Sequence, residues 1–228
     1  MNATQILDRF YQKYYDCHSY ADEGVVKYSH RPEKSFAFQT FFRRPRKFRF
    51  EWTEDLKYQS VICSDGTSSS ASYSFHENQL EEVGDIHSEI AHLAGVTLGA
   101  SIKIPPLLLG EQADTPPDRL INLKEVCLVS EEAFQGDMCF VLKASLLHQE
   151  DARLWINMSD FSLRKLQEHV VIGGEKAASA NSQIERLTSP MKKFWSQFVG
   201  ERQLAWYAEY VYNRIDFEVE MEDTLFSI

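Results

Sequence analysis

The sequence predicts an α+β fold in which a long, curved antiparallel sheet carries helices gathered on one face. Three observations predict it. Aromatic residues abound, with 15 Phe, 10 Tyr and 4 Trp in 228 residues, and such side chains suit a pleated, half-buried surface. Most of the chain alternates apolar and polar residues in short runs separated by turn residues. Three stretches break that period with helical spacing: the N-terminus, 85–110 and 176–199.

The elements follow in order. Asn2 with Gln5 forms a capping-box pattern, and Ile6, Leu7, Phe10, Tyr11 and Tyr14 recur at helical spacing, which predicts a helix over about 3–17. Residues 18–75 then read as an antiparallel meander. Phe36, Phe38 and Phe42 share one strand face with Thr40 between them, and Phe48, Phe50 and Trp52 share a face of the next strand. Between the two, Arg44-Pro45 breaks the run, because proline cannot donate to a ladder. Asp65-Gly66 marks the next hairpin turn. Asp85 is a candidate N-cap and Gly95 a candidate helix stop, with Ile86, Ile90 and Leu93 on one face. Pro105-Pro106 then halts any helix before the knot Leu107, Leu108 and Leu109. Strands return in 119–130, 138–147, 152–157 and 161–172. A helical insertion is expected at 174–203, where Met191, Phe194, Trp195, Phe198 and Val199 make an apolar stripe. A strand around Trp206–Tyr212 and a short final strand in "TLFSI" close the chain. With no internal repeat or linker, 1–228 is expected to be a single domain.

The net charge of −10 argues against broad nucleic-acid binding, which needs a basic surface to displace phosphate counterions. The exception is local: Arg43, Arg44, Arg46, Lys47 and Arg49 crowd one proline turn. They read as charges at a hairpin turn and on the outer strand face, with Arg43, Arg46, Lys47 and Arg49 solvated. The four cysteines lack CxxC spacing, and Cys63, Cys127 and Cys139 sit in apolar strand patterns as expected buried thiols. His87 and His92 are five apart, on different helix faces, and most Asp and Glu fall in turns or alternate outward, with Glu81-Glu82 and Glu131-Glu132 read as solvated turns. No nucleophile elbow, phosphate loop or metalloprotease motif occurs. No enzyme activity, metal or cofactor is therefore expected. No stretch approaches the ~20 apolar residues of a membrane span, though transient membrane contact is compatible with the apolar stripe at 191–199.

The order of motifs resembles the LolA-like superfamily of periplasmic lipoprotein carriers, with LolB and the lipid-binding part of RseB-type regulators. "FFRRPRKFRFEW" looks like its strand–Arg-Pro–strand element and "VICSDGTSSSASYS" like its Ser-Asp-Gly hairpin. "IPPLLLG" is similar to its Pro-Leu-rich lid, "LWINMSDFSLRKLQ" to its late hairpin, and "NRIDFEVEMEDTLFSI" to its closing segment. The likeness covers about 3–170 and 204–228 and departs at the 174–203 insertion and the Ser-rich strand after Gly66. It implies an open half-barrel whose helices plug a hydrophobic cavity that takes a lipid, a lipoprotein acyl chain or a similar amphiphile. Phe38, Phe42, Phe48, Phe50, Ile90, Leu93, Leu107, Leu108 and Leu109 would supply the lining or lid. Arg44, matching the Arg before the Pro, would tether the lid or meet a polar headgroup. The alternative is an RseB-like sensor that binds an acidic protein partner through the sheet rim or basic hairpin. The expected location is periplasmic or otherwise exported if a signal peptide has been removed, and cytoplasmic if Met1 is the native start.

Overall fold

The computed structural model describes residues 1–29, 31–54, 58–73, 80–94, 97–110, 120–146, 149–172 and 204–228. Gly95 and the expected helices at 174–203 lie outside the described residues. Helix α1 (Ala3–Asp16) starts on the predicted capping box: Asn2 Oδ1 accepts from the Gln5 N–H at 2.9 Å, and Gln5 Oε1 accepts from the Asn2 N–H at 3.0 Å. Its stripe of Ile6, Leu7, Phe10 and Tyr14 is buried.

Strands β1 (Ser19–Tyr28), β2 (Arg31–Arg43), β3 (Lys47–Glu54), β4 (Tyr58–Ser64), β5 (Ser69–Ser72) and β6 (Leu80–Val83) form one antiparallel meander. Helix α2 (Ile86–Leu93), a 3-10 turn at Ala100–Ile102 and helix α3 (Pro105–Leu109) follow. The second meander is β7 (Lys124–Phe134), β8 (Asp137–Leu146), β9 (Gln149–Asn157), β10 (Leu163–Ile172) and β11 (Leu204–Phe217). Strand β11 also pairs with β1, which fuses the meanders into one eleven-stranded antiparallel sheet with β6 and β7 at its opposite edges. The sheet does not close on itself, so the fold is an α+β open half-barrel.

Parity decides which face the helices cover. On β1, Tyr20, Asp22, Gly24, Val26 and Tyr28 are buried while Glu23 and Lys27 are exposed. The same face of β2 and β3 carries Phe36, Phe38, Thr40, Phe42, Phe48, Phe50 and Trp52. These aromatic residues share one core with the buried faces of α1, α2 and α3, so the helices fill the concave side. Bulges at Glu23/Gly24 and Lys27/Tyr28 add twist and bend where the long central strands must curve around that core.

Three expectations fail locally. "TLFSI" forms a 3-10 turn, Asp223–Phe226, rather than a strand. Glu81-Glu82 belongs to β6 and Glu131-Glu132 to β7, because these two strands complete the opposite edges of the sheet. Cys127 is exposed: it lies on the edge strand β7, most of whose residues face solvent, while its neighbour Val126 packs against the core.

Candidate functional site

The concave floor is aromatic and tightly made. Phe38 stacks on Phe50 with ring centroids 6.3 Å apart and meets Tyr212 edge-on at 5.5 Å. This packing depends on Gly24: a Cβ there would fall 2.4 Å from the Phe38 ring and 2.7 Å from the Val211 carbonyl oxygen. Phe42, Phe48 and Phe50 are wholly buried on the floor, Ile90 and Leu93 press down from α2, and Leu107 and Leu108 from α3. Leu109 is half-buried against the same core. All nine apolar residues singled out in the sequence therefore meet in one contiguous cluster.

The segment 97–110 covers this floor as a lid built of short turns. Thr97 Oγ1 donates to the Leu93 carbonyl and Ser101 Oγ to the Ile90 carbonyl, both at 2.9 Å, which locks the turn to α2 with its hydroxyls satisfied. At Lys103 the lid drops an ammonium onto the floor. Lys103 Nζ lies 2.7 Å from Glu168 Oε1 of β10, with side-chain exposures of 2% and 1%, so both charges are removed from water. The Tyr210 ring lies beneath the ammonium, 5.3 Å from it, and the Tyr210 hydroxyl donates to the Leu98 carbonyl at 2.6 Å. Burial first, and then the Glu168 charge, raises the Tyr210 hydroxyl well above its ordinary range, so it stays a donor. Gly99 gives the lid its close approach: its φ is +88°, and a Cβ there would sit 2.8 Å from the Tyr210 oxygen.

The floor side of this latch follows from register. Glu168 pairs with Ala208, and Ala208 with Tyr28, so one row crosses three strands with its smallest residue in the middle. Ala208 leaves room for Lys103 to enter. Lys103 and Glu168 are not among the residues the sequence singles out, because an acidic residue on a strand reads as outward-facing. The available signals were a lone charge in the run Leu98–Leu109 and a Glu sharing parity with the buried Leu166.

Arg44 is placed elsewhere. Its Nε donates to the Cys17 carbonyl at 2.9 Å and its Nη2 to the Tyr15 carbonyl, while the guanidinium lies 5.3 Å from the Phe42 ring centroid. It satisfies the carbonyls at the end of α1, where a cation also complements the helix dipole. What Arg44 ties to the sheet is thus α1. A second buried polar group stands nearby on β1. Tyr20 donates to Asp22 Oδ2 at 2.7 Å. Burial pushes the Asp22 carboxyl up to about 7, against the lowering effect of the hydrogen bond from Tyr20.

The convex face corrects the reading of the basic cluster. Arg43, Lys47 and Arg49 are not merely solvated, because the chain's own acidic C-terminal segment folds back over them. Arg43 donates to the Met221 carbonyl at 2.7 Å and pairs with Asp223, which Lys47 also meets at 2.7 Å. Arg49 donates to the carbonyls of Leu225 and Ser227 at 3.1 and 3.2 Å. Phe226 is buried, with the Arg43 guanidinium 5.4 Å from its ring centroid. Between this strap and the sheet opens a cleft of about 450 Å³, walled by Ala21, Gln39, Phe41, Met221 and Leu225.

Among the described residues, no group of three or more His, Cys, Asp or Glu is placed to hold a metal ion. No described helix is long and apolar enough to cross a membrane. No family model matches the chain, and no curated protein does. Solved structures do. An uncharacterized conserved protein from Thermus thermophilus is 12% identical at a TM-score of 0.50, over 98% of this chain and 91% of that one. MucB of Pseudomonas aeruginosa, solved with MucA, is 11% identical at 0.49, over 99% of this chain but 60% of that one. A LolA superfamily protein from Nitrosomonas europaea is 12% identical at 0.38, over 100% and 98%. At such identities the likeness is one of fold. The fold is an open antiparallel half-barrel with helices on its concave face.

Proposed function

We propose that this chain, with its LolA-like half-barrel, is a non-catalytic binding or carrier protein for a lipid, a lipoprotein acyl chain or a similar amphiphile. The ligand lies between the aromatic floor and the lid at 97–110. The observation that supports this is what covers the floor. Among the described residues, the core of Phe38, Phe42, Phe48 and Phe50 is shared with helices rather than a second sheet: α1, then an eight-residue helix, a 3-10 turn and a five-residue helix. Short turns separate at less cost than a packed sheet, because local stability follows the apolar area each element buries. In the form described here the lid side chains themselves fill the space, so ligand entry requires them to lift. Phe38, Phe42, Phe48 and Phe50 are then the lining, and Ile90, Leu93, Leu107, Leu108 and Leu109 the cover.

A carrier of this kind works in the periplasm or another exported compartment. Its partners are lipids or acylated proteins. Binding of an acidic protein through the basic hairpin is the weaker reading, because Arg43, Lys47 and Arg49 already hold the acidic strap. Native mass spectrometry of gently extracted protein, with uptake of a fluorescent fatty acid, tests the proposal. A bound amphiphile and saturable uptake are expected. An empty protein that takes up no fatty acid refutes it.

A further inference from the structure

We infer that the ligand of the concave site carries an amine headgroup, whose ammonium takes the place of Lys103 against Glu168. This rests on the amphiphile reading above and adds the chemistry of the headgroup. Glu168, Tyr28 and Tyr210 are carried by strands β10, β1 and β11, whereas the cation that compensates Glu168 is carried by the lid. When the lid lifts, Lys103 leaves with it. Among the residues whose burial is described, the charged side chains in the buried interior are Asp22, Lys103 and Glu168, so these leave the floor with two carboxyl groups and no cation. Glu168 Oε2 has no hydrogen-bond partner among the described residues even with Lys103 in place. A buried carboxylate in that position demands a cation or a donor.

Lys103 itself displays the fit. It is a four-carbon alkylamine, with Ile102 and Ile104 buried on either side, whose tip reaches Glu168 at 2.7 Å over the Tyr210 ring. An amine-headed chain entering the same way repeats both the charge-assisted hydrogen bond and the cation–ring contact. A carboxylate or phosphate head meets like charge, and a neutral alcohol leaves the carboxylate without a counter-charge.

The test is calorimetric titration of the full chain with dodecylamine, dodecanoate and dodecanol, each below its micelle concentration at neutral pH. Dodecylamine is expected to bind at least ~10-fold more tightly than either of the others, and Glu168→Gln to reduce that preference to about twofold. Lys103→Met, which removes the competing internal ammonium, is expected to keep or increase the preference, and it serves where Glu168→Gln does not fold. Equal binding of the three, a preference for dodecanoate, or a preference that survives Glu168→Gln or vanishes in Lys103→Met overturns the headgroup assignment while leaving an amphiphile site intact. Failure of all three to bind overturns the amphiphile reading, and this inference with it.

Discussion

Replacing Lys103 with Met keeps the length and apolar stem of the side chain and removes only the ammonium. The Glu168 carboxylate then stays in place, 1% exposed, with no cation among the described residues to compensate it. Breaking one side of a buried pair typically costs about 3–5 kcal/mol, most of it the penalty of an uncompensated charge rather than the worth of the pair. For a chain of this length each kcal/mol lowers the melting temperature by roughly 2–4 °C, so a fall on the order of 10 °C is expected. Removing both charges, as in Lys103→Met with Glu168→Leu, is expected to restore stability to within about 2 kcal/mol of the parent, because two apolar residues need no compensation. The assay is a double-mutant cycle by urea unfolding, with hydrogen exchange read at 97–110. A single variant destabilised by less than ~1 kcal/mol, or a double variant as unstable as the sum of its singles, refutes the latch.

Three further outcomes follow from the same geometry. Asp22→Asn reports on the carboxyl that burial raises to about 7. The folded state holds that proton more tightly than the unfolded chain, so its contribution is full below the ordinary Asp range near pH 4 and is lost as pH rises to about 7. The parent should therefore lose stability across that window, by up to a few kcal/mol, and the variant should show a flatter profile in pH-dependent urea unfolding. Gly99→Ala places a methyl 2.8 Å from the Tyr210 oxygen at φ +88° and should cost about 2–3 kcal/mol, with exchange accelerated in the lid. Arg44→Ala frees the carbonyls of Tyr15 and Cys17 and should cost about 1–3 kcal/mol. Its faster exchange should be confined to the last turn of α1, and acceleration at 97–110 instead would assign Arg44 to the lid.

Much of this is legible in the sequence alone. The alternation of Phe36, Phe38, Thr40 and Phe42, and of Phe48, Phe50 and Trp52, identifies two strands and the shared inner face on which they pair. Asn2 with Gln5 marks the start of α1, and Asp85 the start of α2, because caps are local chemistry. The apolar members of the candidate site were readable for the same reason: a stripe reports which side is buried.

Local pattern by itself determined the elements, their inner faces and the excess of apolar surface that needs a cover. Tertiary structure alone decided where the charges go. Lys103 and Glu168 are 65 residues apart, and Arg43 and Asp223 are 180 apart. A charged residue reads as solvent-facing until its partner is known, because its burial is tolerable only when a distant counter-charge arrives in register. Here the pairing of β11 with β1 brings the two meanders into one sheet and sets Glu168 beneath the lid. The turn of the chain after β11 lays the acidic strap along Arg43, Lys47 and Arg49.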